Sequence, residues 1–85
     1  MTEDGPIGLS FKLTNTLDRD ITVVVEPWAH EFDLASRRTF QLITSGADPS
    51  DSLAIELSEK AATIWVNTGV VTAAKIDGED VWPYR

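Results

Sequence analysis

The 85-residue sequence contains no cysteine, so neither a disulfide nor a thiolate metal site can stabilise it. Small secreted domains often depend on disulfides, and their absence favours a reducing compartment. No apolar run approaches the roughly 20 residues of a membrane-spanning helix, and the N-terminus lacks the basic and apolar regions of a secretory signal. These absences predict a cytoplasmic protein without a membrane segment.

Basic residues are also scarce: 7 Lys and Arg stand against 14 Asp and Glu, for a net charge of −7. Binding to nucleic acids or anionic lipids depends largely on basic side chains, and the only adjacent basic pair is Arg37-Arg38. Neither nucleic acid nor a membrane is therefore expected as a partner. Acidity of this kind is typical of a protein that resists association. A specific cationic partner is the alternative interpretation.

The motifs of common enzymes are missing as well. The sequence has one histidine, no nucleophile-elbow glycine pattern, no glycine-rich phosphate loop and no paired-histidine motif. The stretch 77–80 (Asp-Gly-Glu-Asp) resembles part of a calcium loop but lacks its alternating oxygen ligands and terminal Glu. We therefore expect no enzymatic activity, no cofactor and no metal.

Short, β-branched, alternating segments dominate what is present: Ile21–Val25, Phe40–Thr44, Leu53–Leu57 and Thr63–Val66. Asn, Asp, Ser, Gly and Pro separate them at the spacing of a small all-β domain. We predict a flexible leader over 1–6 and a single Greek-key β-sandwich of about seven antiparallel strands over 7–85. A small, partly open β-barrel is the alternative fold.

Turn residues define the expected strand ends. A first strand follows Gly8, the second runs from Asp20 to about Glu26 before Pro27, and the third carries Phe32 and Leu34 on one face. The polar loop 45–52 is the expected place for disorder. In the last third of the chain, 67–69 (Asn-Thr-Gly) fits a three-residue hairpin loop, and Asp77-Gly78 fits a two-residue turn. The final strand is expected to stop at Pro83.

Residues 50–62 are ambiguous. Leu53, Ile55 and Leu57 alternate as in a strand, whereas Leu53, Leu57 and Ala61 also fit a helical stripe. Ser50 and Ser52 could cap such a helix, but neither has Glu or Gln three residues later. A strand is favoured, followed by a turn over 58–60.

The segment Glu26–Asp33 combines the only histidine with three carboxylates and Trp28. His30 with Glu26 and Glu31 or Asp33 could supply metal ligands, but on a strand His30 and Glu31 point to opposite faces. The favoured interpretation is that Trp28 plugs one end of the core and leaves His30 and Glu31 solvated.

Large rings are the remaining signal. Trp65 alternates with Ile64 and Val66, so it faces away from their side of the strand. Exposed Trp and Tyr rings are typical of protein interfaces and sugar-binding surfaces. The predicted interaction site comprises Glu26, Trp28, His30, Glu31, Trp65 and Trp82.

The stretch from Asn15 through Asp20–Trp28 to Glu31–Leu34 resembles small bacterial β-sandwich proteins of uncharacterised function that share a Val-x-Glu-Pro-Trp strand end. The resemblance covers about residues 11–45, and Ala35-Ser36 stands where that pattern often has Pro-Gly. It implies a compact β fold in a bacterial protein and brings no activity or cofactor.

Together these features predict a non-enzymatic module that acts through protein–protein contacts, with a protein partner or with a second copy of itself. Exposed edge strands of a small sandwich are templates for such association. The alternative is a module that binds a small ligand or a carbohydrate through Trp and carboxylate side chains.

Overall fold

The computed structural model describes residues 9–46, 54–67 and 69–82, which form two four-stranded sheets packed together as a β-sandwich. Sheet I has the strand order β1-β4-β7-β8 and sheet II the order β3-β2-β6-β5. The strands are β1 (Leu9–Thr14), β2 (Ile21–Glu26), β3 (His30–Leu34), β4 (Thr39–Ser45), β5 (Ala54–Leu57), β6 (Ala61–Trp65), β7 (Val70–Ile76) and β8 (Glu79–Trp82). The all-β prediction is confirmed, and the two separate sheets are not a closed barrel.

The core forms because every second side chain of the central strands points between the sheets. Phe32 on β3 and Phe40 on β4 join the two sheets, with ring centroids 5.2 Å apart. The buried apolar residues are Val23, Val25, Phe32, Leu34, Phe40, Leu42, Ala62, Ile64, Val66 and Ala74. The period-2 pattern of the sequence therefore predicts the buried face of these strands correctly.

One strand pair differs from the antiparallel prediction: β2 and β6 are parallel, with Val23 opposite Ala62 and Val25 opposite Ile64. Each connection reverses the chain, so strands four connections apart run in the same direction. Sheet II is built from two hairpins, β2–β3 and β5–β6, which meet through β2 and β6. The parallel pair follows from that side-by-side arrangement of the hairpins.

The prediction of a hairpin at 67–69 is wrong. The flanking strands β6 and β7 lie in different sheets, so this segment carries the chain from sheet II to sheet I. Gly69 does have a positive φ of 81°, as the turn chemistry predicts. The positive φ of Gly69 was predicted correctly, but it does not determine which strands pair.

The ambiguous segment contains a strand. Ala54–Leu57 pairs antiparallel with β6, and Ser58 N donates to the Ala61 carbonyl across a turn at 59–60. This confirms the favoured interpretation for the described part. Residues 1–8, 47–53, 68 and 83–85 lie outside the described residues. The expected leader, most of the polar loop, Leu53, the Ser50 and Ser52 caps and Pro83 therefore lie outside them as well.

The turn between β7 and β8 has left-handed backbone at both central residues, with φ of 50° at Asp77 and 85° at Gly78. This is the type I′ geometry that Asp-Gly favours, because it matches the twist of the flanking strands. A Cβ placed on Gly78 would meet no atom within 4 Å. The glycine is therefore required by its backbone conformation and not by lack of space.

We expect Gly78→Val to lower the free energy of unfolding by about 1–2 kcal/mol, because a β-branched residue is strained in the left-handed region. Gly78→Asn is the matched control, since Asn tolerates that region and should cost much less. Chemical denaturation of the three proteins measures the difference. Equal midpoints for the Val variant and the wild type would contradict this turn.

Asn15 is a buried polar residue at the point where the chain leaves β1. Its Nδ2 donates to the carbonyls of Arg19, at 2.8 Å, and Leu34, at 3.1 Å. Its Oδ1 accepts from Leu17 N at 3.0 Å. One amide thus fixes the loop between β1 and β2 and attaches it to the end of β3.

Asn15→Asp should destabilise the protein by about 2–3 kcal/mol at neutral pH, because a carboxylate cannot donate to the two carbonyls. Thr16→Val in the same loop, where the side chain is exposed, is the control and should change little. Thermal and denaturant unfolding report both values. A near-neutral Asn15→Asp variant would mean that water or another group satisfies these carbonyls.

An ion pair links the β7–β8 turn to the start of β4. The Asp77 carboxylate accepts from the Arg38 guanidinium at 2.7 Å and from Thr39 N at 3.0 Å. The pKa of Asp77 is held below its ordinary value of 3.8, chiefly by the hydrogen bond from Arg38 and to a lesser extent by the hydrogen bond from Thr39. The ionised carboxylate therefore stabilises the fold above that value, and the stabilisation is lost as the pH falls through the lowered pKa.

Asp77→Asn should accordingly be less stable than the wild type at neutral pH, and the gap should narrow as the pH falls below about 4. Asn keeps the left-handed backbone, so the change tests the charge. Asp18→Asn is the control, because the Asp18 carboxylate that pairs with Arg37 is almost fully exposed. Denaturant titrations across this pH range would refute the linkage if the gap stayed constant.

Candidate functional site

The structure divides the predicted interaction residues into two groups. Trp28, His30 and Trp82 surround a small apolar cleft, while Glu26 and Trp65 lie side by side on the outer face of sheet II. Glu31 lies on β3 of the same sheet, opposite Val24. The sequence therefore identified residues of two neighbouring surfaces and not of one site.

The cleft forms where the bend between β2 and β3 approaches sheet I. After Pro27, the bend is held by Ala29 N, which donates to Glu26 Oε1 at 3.1 Å. This places Trp28 beside His30, whose ring centroid is 5.4 Å from that of Trp82. The prediction that Trp28 plugs one end of the core is wrong, because Trp28 is 40% exposed. The ring that packs against the core from this cleft is Trp82.

Size and lining limit what the cleft can hold. Its volume is about 100 Å³, and Val70 and Val71 complete the lining. Ordinary small-molecule sites span roughly 300–1,000 Å³. The cleft is therefore smaller than an ordinary small-molecule site, and its size and lining suit a single apolar group such as one side chain.

The outer face of sheet II carries Trp65 between two carboxylates. Glu26 is its neighbour in the β2–β6 register, and Glu56 on β5 accepts a hydrogen bond from Trp65 Nε1 at 2.9 Å. The Trp65 side chain remains 38% exposed. The predicted outward orientation of Trp65, opposite to that of buried Ile64, is confirmed.

Sequence reasoning missed Glu56, although a signal for it exists. A two-residue turn at 59–60 pairs Ser58 with Ala61, which brings Glu56 opposite Thr63 and next to Trp65 on the outer face. Because the turn determines the register of a hairpin, a two-residue turn at 59–60 predicts the contact between Glu56 and Trp65 from the sequence.

Charge on sheet II is of one sign. Its four strands contain the carboxylates Glu26, Glu31, Asp33 and Glu56, and no Lys or Arg. In sheet I, by contrast, Lys75 is paired with Asp80 at 3.5 Å. The outer face of sheet II is thus an acidic surface around a half-exposed indole.

Strand β5 adds exposed apolar area to this end of sheet II. Ile55 and Leu57 lie opposite Ile64 and Ala62, on the core side of the sheet, yet they are 43% and 76% exposed. Among the described residues no strand pairs with the other side of β5. The edge therefore combines unpaired backbone with uncovered apolar side chains.

A larger polar cleft of about 340 Å³ lies beside the β7–β8 turn, lined by Lys12, Thr14, Thr39, Gln41, Asp77 and Gly78. Several of its polar groups already bond to protein. Thr14 Oγ1 is 2.8 Å from Thr39 Oγ1, Gln41 Nε2 donates to Ser10 Oγ, and Asp77 is held by Arg38. This cleft is therefore interpreted as part of the polar outer surface of sheet I and not as a binding site.

Within the described residues, no three His, Cys, Asp or Glu side chains are grouped to hold a metal ion. Those residues also form no helix that could cross a membrane. No family model matches the sequence, and neither the curated proteins nor the solved structures include a significant match.

Proposed function

We propose that this domain is a non-enzymatic bacterial module of the cytoplasm that works through protein–protein contacts. The observation that supports the proposal best is the β5 edge, where Leu57 is 76% exposed and Ile55 43% exposed beside the half-exposed Trp65. Apolar side chains on an unpaired sheet edge are a hazard that folded proteins usually cover or charge. Their retention at this edge favours a partner that covers them.

The small apolar cleft is consistent with the same function. Interfaces are commonly anchored by one apolar side chain that enters an aromatic-lined pocket. The cleft formed by Trp28, His30 and Trp82 has the size and lining for such an anchor. It offers no room for a substrate of ordinary size.

Carbohydrate binding is the alternative. The half-exposed Trp65 ring between Glu26 and Glu56 favours it, because sugars stack on indole rings and donate their hydroxyls to carboxylates. The indole Nε1 is already bonded to Glu56. Only the exposed part of the ring is therefore available for stacking.

The test compares Leu57→Lys and Trp65→Lys with the control Leu17→Lys, which changes a half-exposed residue in the loop between β1 and β2. All three should keep the β-type circular dichroism spectrum, because the replaced side chains are exposed. The first two should lose the capture of partner proteins from a bacterial extract. Where the partner is a second copy of the chain, sedimentation velocity should show the loss of association instead. The control should retain it.

Equal capture by all variants would contradict an interface at this edge. A wild type that is strictly monomeric and captures nothing would remove the protein-contact function. Retention of the wild type on a polysaccharide column, lost in Trp65→Lys but kept in Leu57→Lys, would instead establish the carbohydrate alternative.

A further inference from the structure

Building on the proposed function, we infer that β5 is a docking strand for an extended basic peptide, which adds to sheet II by backbone pairing. Backbone geometry provides the first step. Ser58 N donates to Ala61 O, so Ser58 and Ala61 form a hydrogen-bonded antiparallel pair. Hydrogen-bonded and non-hydrogen-bonded pairs alternate along an antiparallel ladder, so the backbone of Glu56 is hydrogen-bonded to β6. The backbone N–H and C=O groups of Ile55 and Leu57 therefore point away from β6, toward the outer edge of β5.

Sheet II confirms this alternation from its other side. Thr22 N donates to Lys60 O, and Val66 N donates to Glu26 O. Residues 60, 62, 64 and 66 therefore bond toward β2, which leaves 61, 63 and 65 to bond toward β5. On the side of β5 where no described strand pairs, Ile55 and Leu57 thus present two N–H donors and two C=O acceptors. The same two residues carry the exposed apolar side chains.

Side chains define the inward half of the partner. An added strand must alternate between the two faces of sheet II. On the core side its residues would lie next to Ile55 and Leu57, and apolar side chains there would cover the area that β5 leaves exposed. Every second residue of the partner is therefore apolar.

The outward half of the partner is basic. On the outer face its residues would lie next to Glu56 and beside Ala54, whose methyl group leaves the way open to the Trp65 ring on β6. A Lys or Arg at these positions would pair with Glu56 and approach the indole face, a favourable cation–π arrangement. The absence of Lys and Arg from the four strands of sheet II leaves these carboxylates without a competing strand cation.

Charge also distinguishes this partner from a second copy of the chain. Two copies would each bring a net charge of −7 and would place their Glu56 side chains near one another across a β5–β5 seam. A basic segment gains attraction where a second copy meets repulsion. The surface therefore selects an alternating basic and apolar segment of another protein.

The experiment uses the full chain and a fluorescein-labelled eight-residue peptide that alternates Lys and Val. Two peptides are controls: one alternates Glu and Val, and the other has the Lys and Val residues in two blocks, which keeps the charge but loses the alternation. Fluorescence anisotropy should show binding of the alternating Lys peptide, weaker binding of the block peptide and none of the Glu peptide. Binding should weaken with added salt.

Two variants test the mode of binding. Ile55→Pro removes an outward N–H that does not bond to β6, and Glu56→Lys reverses the charge next to the partner. Each should weaken peptide binding by about tenfold or more, a loss of the size expected for a paired charge or a blocked edge. Glu79→Lys on β8, in the other sheet, is the matched control and should bind as the wild type does.

Unchanged binding in Ile55→Pro, or equal binding of the block peptide, would overturn strand addition and leave only general electrostatic attraction. A wild-type dimer that Ile55→Pro converts to a monomer would assign the edge to a second copy and overturn the basic-peptide inference. Absence of peptide binding, combined with partner capture that Leu57→Lys abolishes, would refute this inference while leaving the protein-contact function intact.

Discussion

The side-chain amide of Asn15 is the interaction on which the arrangement of the two sheets depends most directly. The chain leaves sheet I after β1 and returns to it after β3, and the two crossings meet at this residue. Asn15 N donates to Arg38 O and Arg37 N donates to Asn15 O, so its backbone continues the β1–β4 ladder. Its side chain meanwhile holds the first crossing against the end of β3. One buried residue thereby joins the two crossings at this end of the sandwich.

Once the two sheets are packed together, the alternation of side chains along each strand determines which of them are buried and which are exposed. In the central strands the inward side chains are covered, as at Val23, Phe40 and Ile64. At the β5 edge the same inward direction leaves Ile55 and Leu57 exposed. The edge is apolar because β5, the last strand of sheet II, has inward-pointing apolar side chains that the opposite sheet covers only in part. A partner strand would complete the pattern that β2 and β6 begin.

Local chemistry explains why much of this fold could be predicted from the sequence. Pro27 ends β2, Asp77-Gly78 forms the predicted turn, and the alternation around Trp65 gives its outward direction correctly. Each of these features depends on neighbours within a few residues. The parallel β2–β6 pair and the separation of β6 from β7 depend instead on how distant hairpins meet. No local pattern encodes that choice.

The contacts of the candidate site also differ in how far apart in the sequence their residues lie. The contact between His30 and Trp82 joins residues distant in sequence, whereas the Glu56–Trp65 contact follows from one turn. Glu56 stands between the two exposed apolar residues of β5 and points to the opposite face. A charge in the middle of an edge strand discourages pairing between like copies. In the proposed docking of a basic segment, the same carboxylate would attract a cation, so one residue would both discourage self-association at the edge and favour a basic partner.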